Sequence, residues 1–174
     1  MDRLLLWIAQ GGGLGRVPKI PGTVGTLGGF PLTALLLLPG NFWVYLTGCV
    51  LCIPISAWIC ARAERSLDEK DPPSVVLDEI IAVPICFLGI FGVMEFNMEF
   101  NVPGHTAFDA FFRIQNWGAW TIALFALFRL FDIWKPGPIN TIQKMKNGWG
   151  VTMDDVLAGV VVSVILGVAF LLIQ

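Results

Sequence analysis

The chain has 174 residues, 56% of them hydrophobic and 14% charged, with a mean hydropathy of +0.75, too apolar for a soluble domain, where roughly 45–50% apolar usage is ordinary. A hydrocarbon core about 30 Å thick takes roughly 20 apolar residues per helix, so this length accommodates about four or five spans and excludes a separate soluble domain. The net charge of -2 comes with no basic patch, so nucleic acid is not an expected partner; the bilayer is, and protein partners are not specified.

In chain order, "MDRLLLWIAQ" combines one Arg with a very short apolar run and no small-residue cleavage site. It is expected to be a short interfacial helix and not a removable signal peptide. "PGTVGTLGGFP" (21–31) follows, four glycines and two threonines between two prolines, at the head of the first apolar stretch. Five such stretches run at about 24–38, 42–62, 77–95, 117–134 and 151–173. They predict an all-α polytopic membrane helical bundle of about five transmembrane helices, with residues 1–174 as a single membrane domain.

The first stretch is short and carries Gly28, Gly29 and Pro31, so a re-entrant segment is the alternative to a span. Charge arbitrates. If all five stretches cross, ten of the eleven Lys and Arg share the side of the amino terminus, and only Arg113, in the loop 97–116, falls opposite. A re-entrant first stretch would split the cations between the two faces and erase that bias. The positive-inside rule therefore predicts a cytoplasmic amino terminus. Between the second and third stretches "EKDPPS" (69–74) is a polar connector where proline stops the preceding helix. Cys49, Cys52, Cys60 and Cys86 all sit in apolar runs and behave as small apolar residues, although Cys49 and Cys52 form a C-x-x-C.

That topology gathers four unusual patches at the cytoplasmic mouth: "PGTVGTLGGFP" with Gly22, Thr23, Gly25 and Thr26; "VVLDEIIAVP" with Asp78 and Glu79; "FRLFDIWKPGPI" (128–139) with Arg129, Asp132 and Lys135; and "GWGVTMDDVLAG" (148–159) with Asp154 and Asp155. Carboxylates at membrane depth cost about 2.5–3.5 kcal/mol each at a helix centre and face a cavity or a partner. Acids at a helix amino terminus also favour the dipole, which alone accounts for Asp78, Glu79, Asp154 and Asp155. It does not account for Asp132, near a helix carboxyl end. Arg129 and Lys135 supply only two positive charges against five carboxylates, so a hard divalent cation, magnesium (Mg2+), is the expected complement.

Helical spacing orients some of these groups. Asp155, Gly159, Ser163 and Gly167 repeat every four residues as a small-residue stripe, and Glu79, Ala82, Cys86 and Gly89 form a similar arc. Arg129 and Asp132 are three apart and can meet. The glycines and threonines at 22–26 suit phosphate binding at a helix start, with helix packing as the plainer role. His105 and Asp109, four apart in the opposite loop, are expected to be ordinary loop residues.

The pieces "PGTVGTLGG", "LDE", "FRLFDIWKPGPI" and "MDDVLAG", in this order from 21 to 159, resemble the phosphatidylglycerophosphatase A family of bacterial membrane phosphatases. The chain departs from the pattern where "GVT" (150–152) stands in place of a "GIM" type sequence. The resemblance implies magnesium-dependent hydrolysis of the terminal phosphate of phosphatidylglycerophosphate, yielding phosphatidylglycerol in phospholipid biosynthesis. It also implies a multi-pass protein of the bacterial inner membrane whose active site faces the cytoplasm. From the acid cluster itself, Asp132, Glu79 and Asp155 are the expected catalytic residues, and Glu79, Asp78, Asp132, Asp154 and Asp155 the expected metal ligands. Arg129, Lys135, Thr23, Thr26, Gly22 and Gly25 are expected to bind substrate phosphate. The alternative from another class is a small membrane transporter or an ion or proton pathway through clustered carboxylates.

Overall fold

The computed structural model describes residues 3–97, 112, 114–143, 145 and 148–173. His105, Asp109 and Arg113, with Lys144 and Lys146, lie outside the described residues. Every regular element described is helical. A short helix α1 (Arg3–Ala9) leads through a 3-10 turn (Gly11–Arg16) to α2 (Pro21–Leu37), α3 (Phe42–Leu67) and α4 (Leu77–Phe96). Then come α5 (Trp117–Trp134), the one-turn α6 (Pro138–Ile142) and α7 (Trp149–Ile173).

The five apolar stretches are α2, α3, α4, α5 and α7. Of these, α3, α4, α5 and α7 are long and apolar enough to cross a membrane, while α2 is shorter at 17 residues. At 1.5 Å per residue α2 is roughly 25 Å long, the lower limit for a span. Contacts set its direction. Gly25 abuts Val76 and Gly29 abuts Val83, so α2 runs parallel to α4 and does not turn back. Gly159 against Ala82 and Gly167 against Gly89 make α7 parallel to α4 as well. Phe42, at the start of α3, lies beside Gly92 near the end of α4. Ser56, further along α3, meets Thr152 at the start of α7 (3.2 Å), so α3 is antiparallel to both. Trp120 packs on Phe170 (5.5 Å between ring centres) and Lys135 reaches Asp154, so α5 is antiparallel to α7. The result is five alternating passes, with the starts of α2, α4 and α7 at one end beside the ends of α3 and α5.

Local chemistry explains the boundaries. Pro21 opens α2, where a missing N–H costs nothing, so the helix begins three residues before the apolar stretch and absorbs the Gly/Thr segment into its first turns. Asn41 caps α3 by accepting from Trp43 N (2.9 Å) and Val44 N (3.1 Å). That helix runs on to Leu67, five residues past the apolar stretch. The extra turn is held because Glu64 accepts from Asp71 N (3.2 Å) and Gly148 N (3.0 Å).

The main core draws on all five long helices, including Leu37, Tyr45, Phe87, Phe91, Leu124, Phe128 and Val162. Its tightest contact joins the two small-residue stripes. A side chain on Gly89 would collide with the Ser163 carbonyl, and one on Gly167 would lie 2.9 Å from Gly89 Cα. Backbones approach this closely only where both residues are small. α4 is thus the central helix. α5 is peripheral, burying only Leu124 and Phe128.

Candidate active site

Three helix starts carry partial positive charge to the same end of the bundle, where Pro21, Gly22 and Thr23 of α2, Asp78 and Glu79 of α4, and Asp154 and Asp155 of α7 line one cavity of about 430 Å³. The end of α5 closes it with Arg129, Asp132 and Lys135. The four sequence patches, separated by up to more than a hundred residues, therefore become a single site because the passes alternate.

The cations are held in place by particular acids. Arg129 Nη1 donates to Asp132 Oδ2 at 2.5 Å, and the same nitrogen lies 3.9 Å from Glu79 Oε1. Lys135 Nζ donates to Asp154 Oδ2 at 2.5 Å, and Asp154 Oδ1 accepts the Asp155 N–H at 3.1 Å. Both oxygens of Asp154 are thus engaged, which makes it the holder of Lys135. Lys135 follows the end of α5. Burial pulls its pKa down, but the Asp154 hydrogen bond and the charges of Asp154, Asp155 and Asp132 outweigh this, leaving it above the usual lysine value and firmly cationic.

Asp78, Glu79 and Asp155 offer one carboxylate oxygen each, all within 4.8 Å of one another. Asp132 stands beside them, interacting with both Glu79 and Asp155. Asp78 Oδ1, Glu79 Oε2 and Arg129 Nε are buried with no hydrogen-bond partner in the protein. Buried polar atoms are normally paired, and an ionised oxygen left alone is costly. Counting the whole lining, six carboxylates (Asp71, Asp78, Glu79, Asp132, Asp154, Asp155) face three cations (Lys19, Arg129, Lys135). An all-oxygen donor set with excess negative charge and orphaned oxygens fits a hard divalent cation.

Gly22 and Thr23 line the cavity, whereas Gly25 and Thr26 stand behind its wall. Thr26 is fully buried and its hydroxyl donates to the Gly22 carbonyl (2.9 Å), the preceding turn of its own helix. The missing side chain of Gly25 makes room for Val76 and for Glu79 Oε2. At Gly22 a side chain would meet Glu79 Oε1 and both terminal nitrogens of Arg129. These glycines therefore clear the space that the Glu79 and Arg129 side chains occupy.

Sequence reasoning missed Asp71 and Lys19. The "EKDPPS" connector folds over the site, and Asp71 accepts from Gln143 Nε2 (3.1 Å) at its edge. A backbone signal marks both residues: Lys19 (φ 74), Asp71 (φ 52) and Lys135 (φ 45) are non-glycine residues in the left-handed region, and all three line the cavity. Such backbone is held only where its surroundings over-determine it. No composition or periodicity encodes it. The available hint was topological, since the connector and the site patches were already expected on one side.

A family model described as phosphatidylglycerophosphatase A matches residues 7–170. A Haemophilus influenzae protein named phosphatidylglycerophosphatase A is 33% identical over 154 residues, covering 88% of this chain and 80% of that protein. The Escherichia coli K12 protein of the same name is 28% identical over 161 residues, 91% of this chain and 79% of its own. A Bacteroides thetaiotaomicron protein named "Putative phosphatidylinositol-3-phosphatase" is 34% identical over 172 residues, 93% of this chain and 91% of its own. No solved structure matches the chain.

Proposed function

The chain belongs to the phosphatidylglycerophosphatase A family, and from that premise we propose that it hydrolyses the terminal phosphomonoester of phosphatidylglycerophosphate to phosphatidylglycerol and inorganic phosphate in phospholipid biosynthesis. The observation that carries the proposal is the convergence of Asp78, Glu79 and Asp155, with orphaned buried oxygens, next to Arg129 and Lys135 at the mouth of a helical membrane bundle. Magnesium (Mg2+) is the proposed cofactor, held by those three carboxylates with Asp132 alongside. When bound, the ion supplies charge neutralisation at phosphoryl oxygens and a water more acidic than bulk.

The protein's own groups do the rest. Arg129, oriented by Asp132 and Glu79, and Lys135, oriented by Asp154, balance the phosphate charge as it redistributes. The N–H groups of Gly22 and Thr23 in the first turn of α2 have no partner within their own helix and stand at the cavity, as anion binding at a helix start requires. Water attacks phosphorus in line, the ester P–O bond breaks, and the proton lost by water passes through a site carboxylate to the departing glycerol oxygen. A phosphorylated aspartate trapped after mixing with substrate would overturn direct water attack.

The cations Arg16, Lys19, Arg62, Arg65, Lys70, Arg129 and Lys135 belong to segments at the site end of the bundle. By the positive-inside rule that end faces the cytoplasm of the bacterial inner membrane, with the amino terminus inside. A carboxylate relay for ions or protons would place acids through the membrane depth. Here, among the described acids, only Glu95 lies at the opposite end.

The Bacteroides relative's name points to the same bond on another head group, a phosphomonoester of a phosphoinositide. Purified protein should release phosphate from phosphatidylglycerophosphate with magnesium, stop with EDTA and recover when magnesium is restored. Faster release from phosphatidylinositol 3-phosphate would reassign the substrate. No release from either lipid with any divalent metal would overturn the enzymatic assignment.

A further inference from the structure

A second cavity, of about 300 Å³, lies further along the bundle and is walled by Phe30, Thr33 and Ala34 of α2, Phe87 of α4, and Trp117 and Thr121 of α5. Its two threonines present no polar group. Thr33 donates to the Gly29 carbonyl (3.0 Å) and Thr121 to the Trp117 carbonyl (2.9 Å), so both hydroxyls are engaged within their own helices. At the rim Phe112 and Trp117 are 51% and 41% exposed, so the cavity is open to the surroundings of the bundle.

The same two helices wall both cavities. On α2 the carboxylate site takes residues 21–23 and the apolar cavity residues 30–37; on α5 the order reverses, with 129–133 at the site and 117–121 at the cavity. Along α5, Trp117, Thr121, Phe125 and Arg129 recur every four residues and share one face. From Gly22 to Thr33 is roughly 16 Å of helix, and from Arg129 to Thr121 roughly 12 Å, about half a hydrocarbon core. Along the path between α2 and α5, one cavity is lined by the site's charged groups and the other by apolar side-chain surface.

We propose that the furrow between α2 and α5 is an acyl-chain subsite, in which one fatty acyl chain of the lipid substrate occupies the apolar cavity while its phosphomonoester sits among the carboxylates. The occupant follows from the α2 and α5 walls that the two cavities share and from chemistry: a diacyl phosphomonoester lipid is charged at one end and alkyl at the other, in the same order. The subsite rests on the lipid phosphatase function proposed above. It adds that the enzyme selects for the tail as well as the phosphate.

The test uses the unaltered protein in nanodiscs and a phosphatidic acid carrying a diazirine midway along one acyl chain. Illumination should label peptides containing residues 30–37 and 117–121. Excess unlabelled phosphatidic acid should displace the label, and diacylglycerol, which lacks the phosphate, should not. Label spread evenly over the lipid-facing helices, or displaced equally by diacylglycerol, overturns the subsite. Ala34→Phe, which fills the cavity, should raise KM for a long-chain lipid phosphate at least about tenfold more than for a dibutyryl analogue, the loss expected from displacing two buried methylenes. Equal changes on both substrates count against the subsite. Phosphate release with scattered label would overturn the subsite and leave the activity standing; no release from any lipid phosphomonoester, with label displaced by neither competitor, would overturn both. Label blocked only after a second protein is added would assign the furrow to a partner helix instead.

Discussion

Substitutions at single residues test the proposed division of the site into groups that act on substrate and groups that position them. Glu79→Gln and Asp132→Asn should each lower kcat by roughly 100-fold, the scale for one preorganised charged group, in protein whose thermal unfolding is little changed. Normal turnover in either variant would displace the catalytic assignment. Lys135→Met leaves the Asp154 carboxylate, 2% exposed, without its partner. It should cost roughly 1.5–3 kcal/mol of stability, the worth of a hydrogen bond to a charged group. Adding Asp154→Asn should recover most of that in a melt without recovering activity. The two threonines separate binding from packing. Thr23→Val should raise KM, since Thr23 lines the cavity, whereas Thr26→Val removes a bond to its own helix and should leave KM alone while lowering stability by about 1 kcal/mol. Sequence spacing made the Arg129 and Asp132 contact legible. It did not reveal that Asp154 is consumed by Lys135, because that pair is 19 residues apart and depends on how α5 meets α7.

Among the elements, α4 and α7 form the unit on which the site depends, since they supply the three clustered carboxylates. Their separation is set by Gly89, Gly159 and Gly167. A methyl at Gly89 would strike the Ser163 carbonyl, so Gly89→Ala should destabilise the protein by about 1–3 kcal/mol, as overpacking does. Activity should fall further than the folded fraction, because Asp155 would move relative to Glu79. Loss of activity that merely tracks the folded fraction would show that helix spacing does not tune the site. The small-residue stripes were readable from three- and four-residue helical spacing. Their mutual contact was not, since periodicity gives a face and no partner. The start of α2 shows the same limit. "PGTVGTLGG" was expected at a helix start and is helical from Pro21, but its sequence did not show that Gly22 and Gly25 make room for the Glu79 and Arg129 side chains beside them.

For the whole molecule, alternation of the five passes converts scattered patches into one site and predicts which face of the membrane it serves. A cysteine replacing Glu69, in the connector at the site end, should react with an impermeant thiol reagent only after cells are permeabilised. One replacing Gln115, at the far end, should react in intact cells. The opposite pattern would invert the proposed orientation. Composition alone determined that the chain belongs in a bilayer, because buried backbone in lipid must be helical and each pass needs a long apolar run. Charge placement predicted that the first stretch crosses, and the polar residues within or beside apolar runs pointed to the candidate site, because charge near hydrocarbon is too costly to be incidental. Tertiary structure decided which carboxylates share one point, which are paired to cations, that Asp71 and Lys19 join the site, and that α2 and α5 enclose an apolar cavity beyond it. Those facts depend on the rotation and spacing of helices about their axes, and these are set by packing between residues remote in sequence, which no local pattern contains.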